Sequence, residues 1–199
     1  MDYKYTEDCI VIKDKTLSKL DEFVLDFIRI LEKHVKYVIV SGYVAILFGR
    51  NRTSEDVDII IQKLDFNTFN RLWLYVYKNF ECLNTRDSKK AYNDYLLENI
   101  SIRFSRKGEF IPNIEIKVPR IELDKWTLSE SKKVIINDST LFISPLELEI
   151  PYKLYLGSEK DIEDARYLYK LFKKYLDTNL LNDFNKKLKT NKLFIRYIK

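Results

Sequence analysis

The sequence predicts an α/β or α+β fold, with a mixed sheet flanked by helices and a C-terminal helical part. Three observations carry this. Strand-like and helix-period segments alternate through the first 143 residues, a hairpin signal closes that stretch, and from Ser144 onward the periodicity is helical. The chain is accordingly read as a core over 1–143 and a helical region over 144–199 packed on it. Its 199 residues, 46% hydrophobic, are enough to bury a sizeable core, and 33% charged residues suit an ordinary hydrated surface.

In residues 16–34, Leu17, Leu20, Phe23, Val24, Phe27, Ile28 and Leu31 recur at spacings of three and four, which predicts an amphipathic helix. Residues 37–41 read as a buried strand. Gly42 then opens a short apolar helix, Tyr43 to Phe48, which Gly49 ends. After a polar turn from Arg50 to Glu55, the β-branched run from Val57 to Ile61 is a second strand. Asp65 is placed to cap a helix over 66–79, and 88–97 reads as another short helix. Strands come next at 100–104 and 113–118, and the runs 133–136 and 140–143 pair through Asn137-Asp138-Ser139. Ser144-Pro145-Leu146-Glu147 reads as a capping box with proline at the first helical position, and Pro151 is expected to kink or interrupt that helix. Gly157-Ser158 breaks the chain before a helix capped by Ser158 and running to about 175, and one or two helices cover 178–198.

Cys9 and Cys82 lie far apart without metal-ligand spacing and read as reduced, partly buried thiols. The one histidine, His34, falls in an apolar helical stretch. A histidine-based zinc site is therefore excluded, and a Ser-His-Asp or Cys-His mechanism would need His34 itself as base. Chemistry is pushed toward carboxylates and metal. No apolar run approaches the ~20 residues of a membrane span, and the polar N-terminus lacks a signal-peptide layout, so the expectation is a cytosolic protein with no membrane partner. The formal charge of +5 is uneven. Arg166 to Lys199 hold ten basic and two acidic residues, a net +8, which leaves −3 for residues 1–165. Such an end either attracts nucleic acid or is a solvated helical face.

The chemistry is concentrated between Ser41 and Ile61. A strand delivers the chain to Gly42, a helix starts there, and after a turn the next strand opens with Asp56-Val57-Asp58. Strand alternation puts Asp56 and Asp58 on one face. Carboxylates that close repel each other and are stable together around a divalent cation, which oxygen-only ligands make magnesium or manganese. Gly42 lets phosphate oxygens reach free backbone N–H groups from its own position and Tyr43 onward, at the positive end of a helix dipole. Together these parts would hold a nucleoside triphosphate for in-line attack. An Asp-x-Asp alone is more often a solvated pair; the order of elements around it gives this one weight.

The stretch from Ser41 to Asp58 resembles the signature of the nucleotidyltransferase superfamily, in particular the branch of abortive-infection-type toxin nucleotidyltransferases and related small proteins. That signature is a pair of small residues, an apolar helix, a glycine, an arginine, a hydroxyl residue and Asp-x-Asp. Here these fall on Ser41 and Gly42, Gly49, Arg52, Ser54, and Asp56 with Asp58. The first small residue is usually glycine and here is Ser41; an alanine often comes after the position of Tyr43 and here is Val44. More loosely, Ser144-Pro145-Leu146-Glu147, Lys153-Leu154 and Asp161-Ile162-Glu163-Asp164-Ala165 match the family's C-terminal helix starts in the same order.

The resemblance implies a nucleotidyltransferase-type fold that moves a nucleoside monophosphate from a triphosphate to a hydroxyl acceptor. By it, Asp56 and Asp58 hold Mg2+ or Mn2+, and Ser41, Gly42, Tyr43, Arg52 and Ser54 hold the nucleotide. Lys153 contacts its phosphates, and Asp161 orients that contact or the acceptor. Many members carry a third carboxylate as base or metal ligand, for which Glu115, mid-strand between Ile114 and Ile116, is the candidate and Glu122 the substitute. The structural alternatives are a Glu115 paired with Lys117 or Arg103, an exposed Lys153, an Asp161 that only caps a helix, an Asp164 that is a surface charge, and an Arg52 that only holds its turn. The acceptor is open, tRNA and protein included, as is a toxin role with an antitoxin partner. A catalytically inactive nucleotide-binding or protein-interaction module on the same fold is the alternative.

Overall fold

The computed structural model describes residues 2–6 and 9–198. Its strands are β1 (Asp2–Tyr5), β2 (Cys9–Lys13), β3 (Tyr37–Val40), β4 (Asp56–Ile61), β5 (Phe80–Cys82), β6 (Ile102–Arg106), β7 (Asn113–Lys117), β8 (Lys132–Ile136) and β9 (Ser139–Ile143). They form one mixed sheet in the order β1-β2-β8-β9-β3-β4-β7-β6-β5. Parallel pairs join β2 to β8, β9 to β3 and β4 to β7, and the remaining neighbours are antiparallel. The register that matters sets Val40 beside Asp58 and Asp58 beside Glu115.

The two faces of the sheet differ because the strands alternate. Val57, Ile59, Ile61, Ile114, Ile116, Ile102 and Phe104 enter the main core, where they meet Phe23, Phe27 and Leu31 of α1 (Lys19–Leu31) and Phe69, Leu72 and Trp73 of α3 (Phe66–Val76). Phe27 meets Phe80 edge-on, the geometry ring quadrupoles favour. On the opposite face Val38, Val40 and Ile60 pack with Leu128 of α5 (Glu122–Ser129), and along the same rows stand Asp58, Glu115 and Lys117. Of that polar row only Asp58 lines the cleft described below.

Caps fix the helix entries. Ser18 begins α1 in a reciprocal box with Asp21, and Asp65 accepts the Thr68 N–H to begin α3. Between α3 and β6, α4 (Ser88–Lys90) runs into a π-helical turn, Ala91–Leu96. The helix α2 (Gly42–Leu47) connects β3 to the turn before β4, and Gly49 after it takes φ 95°. The C-terminal helices are α6 (Leu146–Leu156), α7 (Glu159–Phe172), α8 (Thr178–Lys187) and α9 (Asn191–Tyr197). Ile150, Leu154, Leu168 and Phe172 are buried in the main core. Cys9 and Cys82 are free thiols, the second buried. Among the described residues no helix is long and apolar enough to cross a membrane.

The structure corrects several sequence expectations. His34 lies in a turn after α1, its ring tilted against that of Tyr75 with centroids 4.7 Å apart, because the helix ends at Leu31 and Glu32. Ser144 makes no capping box: Pro145 is extended (φ −54°, ψ 135°), so it takes the cap position and the helix begins one residue later. The Glu147 carboxylate instead accepts the Asp177 N–H at 3.1 Å, which ties α6 to the start of α8. Pro151 does not end α6, which continues to Leu156. Strands β1, β2 and β5 and helix α5 lie outside the elements the sequence suggested.

Candidate active site

The turn from β3 into α2 is where the backbone is strained. Ser41 sits at φ 66°, ψ −138°, a region that glycine occupies readily and other residues rarely. The next residue, Gly42, lies against Arg52: a β-carbon on Gly42 would stand 2.0 Å from Arg52 Nη2 and 3.6 Å from Ser54 Oγ. The absence of a side chain at Gly42 is thus what lets the arginine close over the helix start. Ser54 in turn donates to the Asp56 backbone carbonyl at 2.9 Å and lies 3.2 Å from Asp56 Oδ1.

Around that turn is a cleft of about 490 Å³ lined by Ser41, Gly42, Arg52, Ser54, Asp56, Asp58, Lys153 and Asp161, with Thr53, Glu55, Ser158 and Lys160 completing the wall. The elements that supply it are far apart in the chain. Ser41 and Gly42 come from the β3–α2 turn, the aspartates from β4, and Lys153 and Asp161 from α6 and the first turn of α7.

Lys153 is 1% exposed and reaches Asp161 Oδ1 at 2.8 Å and Asp164 Oδ2 at 3.2 Å. Burial would depress its ammonium pKa, but Glu149 one turn earlier on α6, with Asp161 and Asp164, holds it above the usual lysine value. Asp161 serves two ends at once, since Ser158 accepts its N–H to cap α7 while its carboxylate grips Lys153. Asp164 is fully buried, not the surface charge its helix position suggested. Arg50 Nε lies 3.5 Å from one of its oxygens and Arg52 Nε 3.4 Å from the other, and Arg50 also pairs with Glu163. Three cations, Arg50, Arg52 and Lys153, therefore share one buried carboxylate.

Asp58 is mostly enclosed. Burial raises its carboxyl pKa above the usual value, Glu115 and Asp56 add to that, and Lys117 and the Ser41 hydroxyl oppose it. Such a carboxylate gains from a nearby cation. With all-oxygen donors, Asp56 and Asp58 fit Mg2+ or Mn2+, whereas Gly42 is buried with Arg52 closed over it.

Two expected residues stand apart from the cleft wall. Tyr43 is fully buried, its hydroxyl donates to Asp21 Oδ1 at 2.9 Å, and it does not line the cleft. Glu115 is the neighbour of Asp58 in the sheet, but its carboxylate lies 3.4 Å from Arg103 and is not part of the lining. Glu122, on α5, is exposed and pairs with Lys125 at 2.5 Å. Among the described residues no three acidic, histidine or cysteine side chains gather closely enough to hold a metal ion between them.

Glu149 was missed from sequence. It is 2% exposed, and burial pushes its carboxyl up to about 7 against the pull of Lys153, the Ser41 backbone N–H and the Ser144 hydroxyl. Its spacing of four from Lys153 on one helix was the available signal. Lys117 was weighed only as a partner of Glu115; its ammonium instead lies 3.9 Å from Asp58 Oδ1.

The fold has known counterparts. The chain superposes on an antigenic nucleotidyltransferase-like protein from Paracoccidioides brasiliensis with a TM-score of 0.52 at 16% identity, over 89% of this chain and 90% of that one. It also matches the antibiotic-resistance factor ANT(2″)-Ia over 88% of this chain and 96% of that one, at 9% identity and a TM-score of 0.46. In sequence it is 24% identical over 151 residues, 72% of this chain, to a UPF0246 protein of Flavobacterium psychrophilum, and it spans 55% of the length of that relative. No family model matches the chain. The mixed sheet with its flanking helices is a nucleotidyltransferase-type fold.

Proposed function

We propose that this chain is a metal-dependent nucleotidyltransferase that moves a nucleoside monophosphate from a nucleoside triphosphate to a hydroxyl acceptor. The observation that carries the proposal is the convergence of Ser41, Gly42, Arg52, Ser54, Asp56, Asp58, Lys153 and Asp161, from four separate segments, on one cleft. Asp56 and Asp58 would hold the divalent metal. When bound, the metal screens the triphosphate charge and polarises the phosphorus under attack. The N–H groups at the start of α2 bind phosphate oxygens, and Arg52 and Lys153 neutralise charge that grows on the leaving group. Glu115, beside Asp58 in the sheet, would take the proton of the acceptor hydroxyl on leaving Arg103, which holds it at 3.4 Å outside the cleft lining. The acceptor oxygen bonds to the α-phosphorus, the bond from that phosphorus to the bridging oxygen breaks, and pyrophosphate leaves.

The test is transfer of label from an α-labelled nucleoside triphosphate in magnesium, with candidate acceptors supplied singly. Transfer that disappears in Asp58→Asn supports the reading. Nucleotide binding without transfer to any nucleoside, RNA or protein acceptor would favour the inactive nucleotide-binding module.

Exposed Arg166, Lys170 and Lys173, one turn apart along α7, support an RNA acceptor. A toxin role is tested by growth arrest on expression that Asp56→Ala relieves; harmless expression of the unaltered chain would sink it.

A further inference from the structure

The row behind the aspartates contains a charge that the proposed reaction does not use. Strand β7 carries Glu115 and Lys117 two residues apart, so both project from the face that bears Asp58, and the register sets Glu115 beside Asp58 and Lys117 beside Ile60. Two carboxylates directly opposed on neighbouring strands repel. The Lys117 ammonium stands 3.9 Å from Asp58 Oδ1, while Arg103 takes Glu115 from the other side at 3.4 Å. Lys117 lines a small cavity of about 40 Å³ together with Asp124, Glu149, Ser144 and Tyr152, under α5 and α6, and its side chain is 30% exposed.

We propose that Lys117 is a built-in cation beside Asp58, so that the chain takes one divalent ion, on Asp56 and Asp58, and not two. This rests on the metal-dependent reading given above. In a two-metal site the second ion lies ~3.5–4 Å from the first and leans on a shared carboxylate and a third one. Here the third carboxylate is turned to Arg103, and a divalent ion bridging Asp58 and Glu115 would meet an ammonium already within 4 Å of Asp58. Repulsion between charges of +2 and +1 at that separation exceeds thermal energy several-fold in a partly enclosed site.

The experiment is a count of bound Mn2+ by electron paramagnetic resonance, on the full chain saturated with a non-hydrolysable triphosphate analogue, and again without nucleotide. The unaltered chain should hold one Mn2+ per nucleotide complex. Lys117→Met should hold two, and should bind Mn2+ without nucleotide at least tenfold more tightly, whereas Lys117→Arg should keep the count at one. Asp58→Asn should lose the ion in every background. Two Mn2+ ions in the unaltered complex, or an unchanged count and affinity in a folded Lys117→Met, would overturn the inference and leave the metal-dependent reading standing. Nucleotide bound with no Mn2+ at all would overturn both. The count on the unaltered chain decides the matter even where Lys117→Met does not fold.

Discussion

A β-carbon on Gly42 and the guanidinium of Arg52 cannot share the space they face: the two would be 2.0 Å apart. Arg52 Nε lies 3.4 Å from Asp164 without a hydrogen bond, so the guanidinium end is the part that gives way. Gly42→Ala should therefore push the arginine off the phosphate position while the core is untouched. Loss of one charge-assisted contact of about 1.5–3 kcal/mol corresponds to a ten- to hundredfold weaker nucleotide affinity. Titration calorimetry with a triphosphate analogue checks this, and affinity within twofold of the unaltered chain would refute it.

Ser41 gives the opposite expectation. Its φ of 66° with ψ −138° costs on the order of 1–3 kcal/mol for a residue with a β-carbon. Glycine at this position removes the strain, and its greater freedom in the unfolded chain gives back about 0.5–1 kcal/mol. Ser41→Gly should thus be stabilising by about 1 kcal/mol, or about 2–4 °C in melting temperature for a domain of this size. Urea denaturation measures it, and a destabilised variant would count against strain at this turn.

Asp164 is expected to be the costliest single carboxylate to remove. Arg50, Arg52 and Lys153 all lean on it, and it is fully buried. Asp164→Ala would take one partner from each of them, though Lys153 keeps Asp161 and Arg50 keeps Glu163, a loss toward the lower end of the ~3–5 kcal/mol of a broken buried ion pair. Glu122→Ala, at an exposed pair on α5, should change stability by less than about 0.5 kcal/mol. Equal denaturation midpoints for the two variants would contradict this account.

Glu149 sets a pH dependence. Its carboxyl is pushed up to about 7 from 4.5 by burial, so the folded chain holds a proton that the unfolded chain has released. The contribution is fully present below pH ~4.5 and is lost as pH rises through about 7, with a ceiling on the order of 3 kcal/mol. Asp21 and Asp161, whose carboxyls are lowered, act at the other end: their contribution is present above pH ~4 and falls away in acid. Denaturation midpoints between pH 5 and 8 should fall for the unaltered chain and stay nearly flat for Glu149→Gln. Parallel curves for the two would remove Glu149 as the source.

Much of this site was legible because its signals are local. Asp56 and Asp58 share a strand face by alternation alone, and Gly42 announces a close approach wherever it falls. The order of elements from Phe66 to Val76 and from Ser158 onward was likewise carried by caps and periodicity. What escaped depends on tertiary placement. Asp164 looks like any charged residue on an amphipathic helix until α7 docks against the Arg50–Arg52 turn. Glu149 sits in a helix too evenly apolar to show which side is buried, and Lys117 becomes a neighbour of Asp58 through a parallel pairing of β4 with β7 that no short-range pattern encodes.

The pairing of β2 with β8 sets an order of events for the growing chain. Cys9 finds its strand partner at Lys133, and Ile12 at Ile136, across the whole intervening sequence. During synthesis the first hairpin, β1 with β2, therefore leaves the ribosome well before the strand it docks on exists, and it carries Ile10 and Ile12 uncovered in the meantime. A strand edge that waits so long is open to the wrong neighbour. Long-range closures of this kind also slow folding, so this hairpin is the part most in need of protection until β8 has been made.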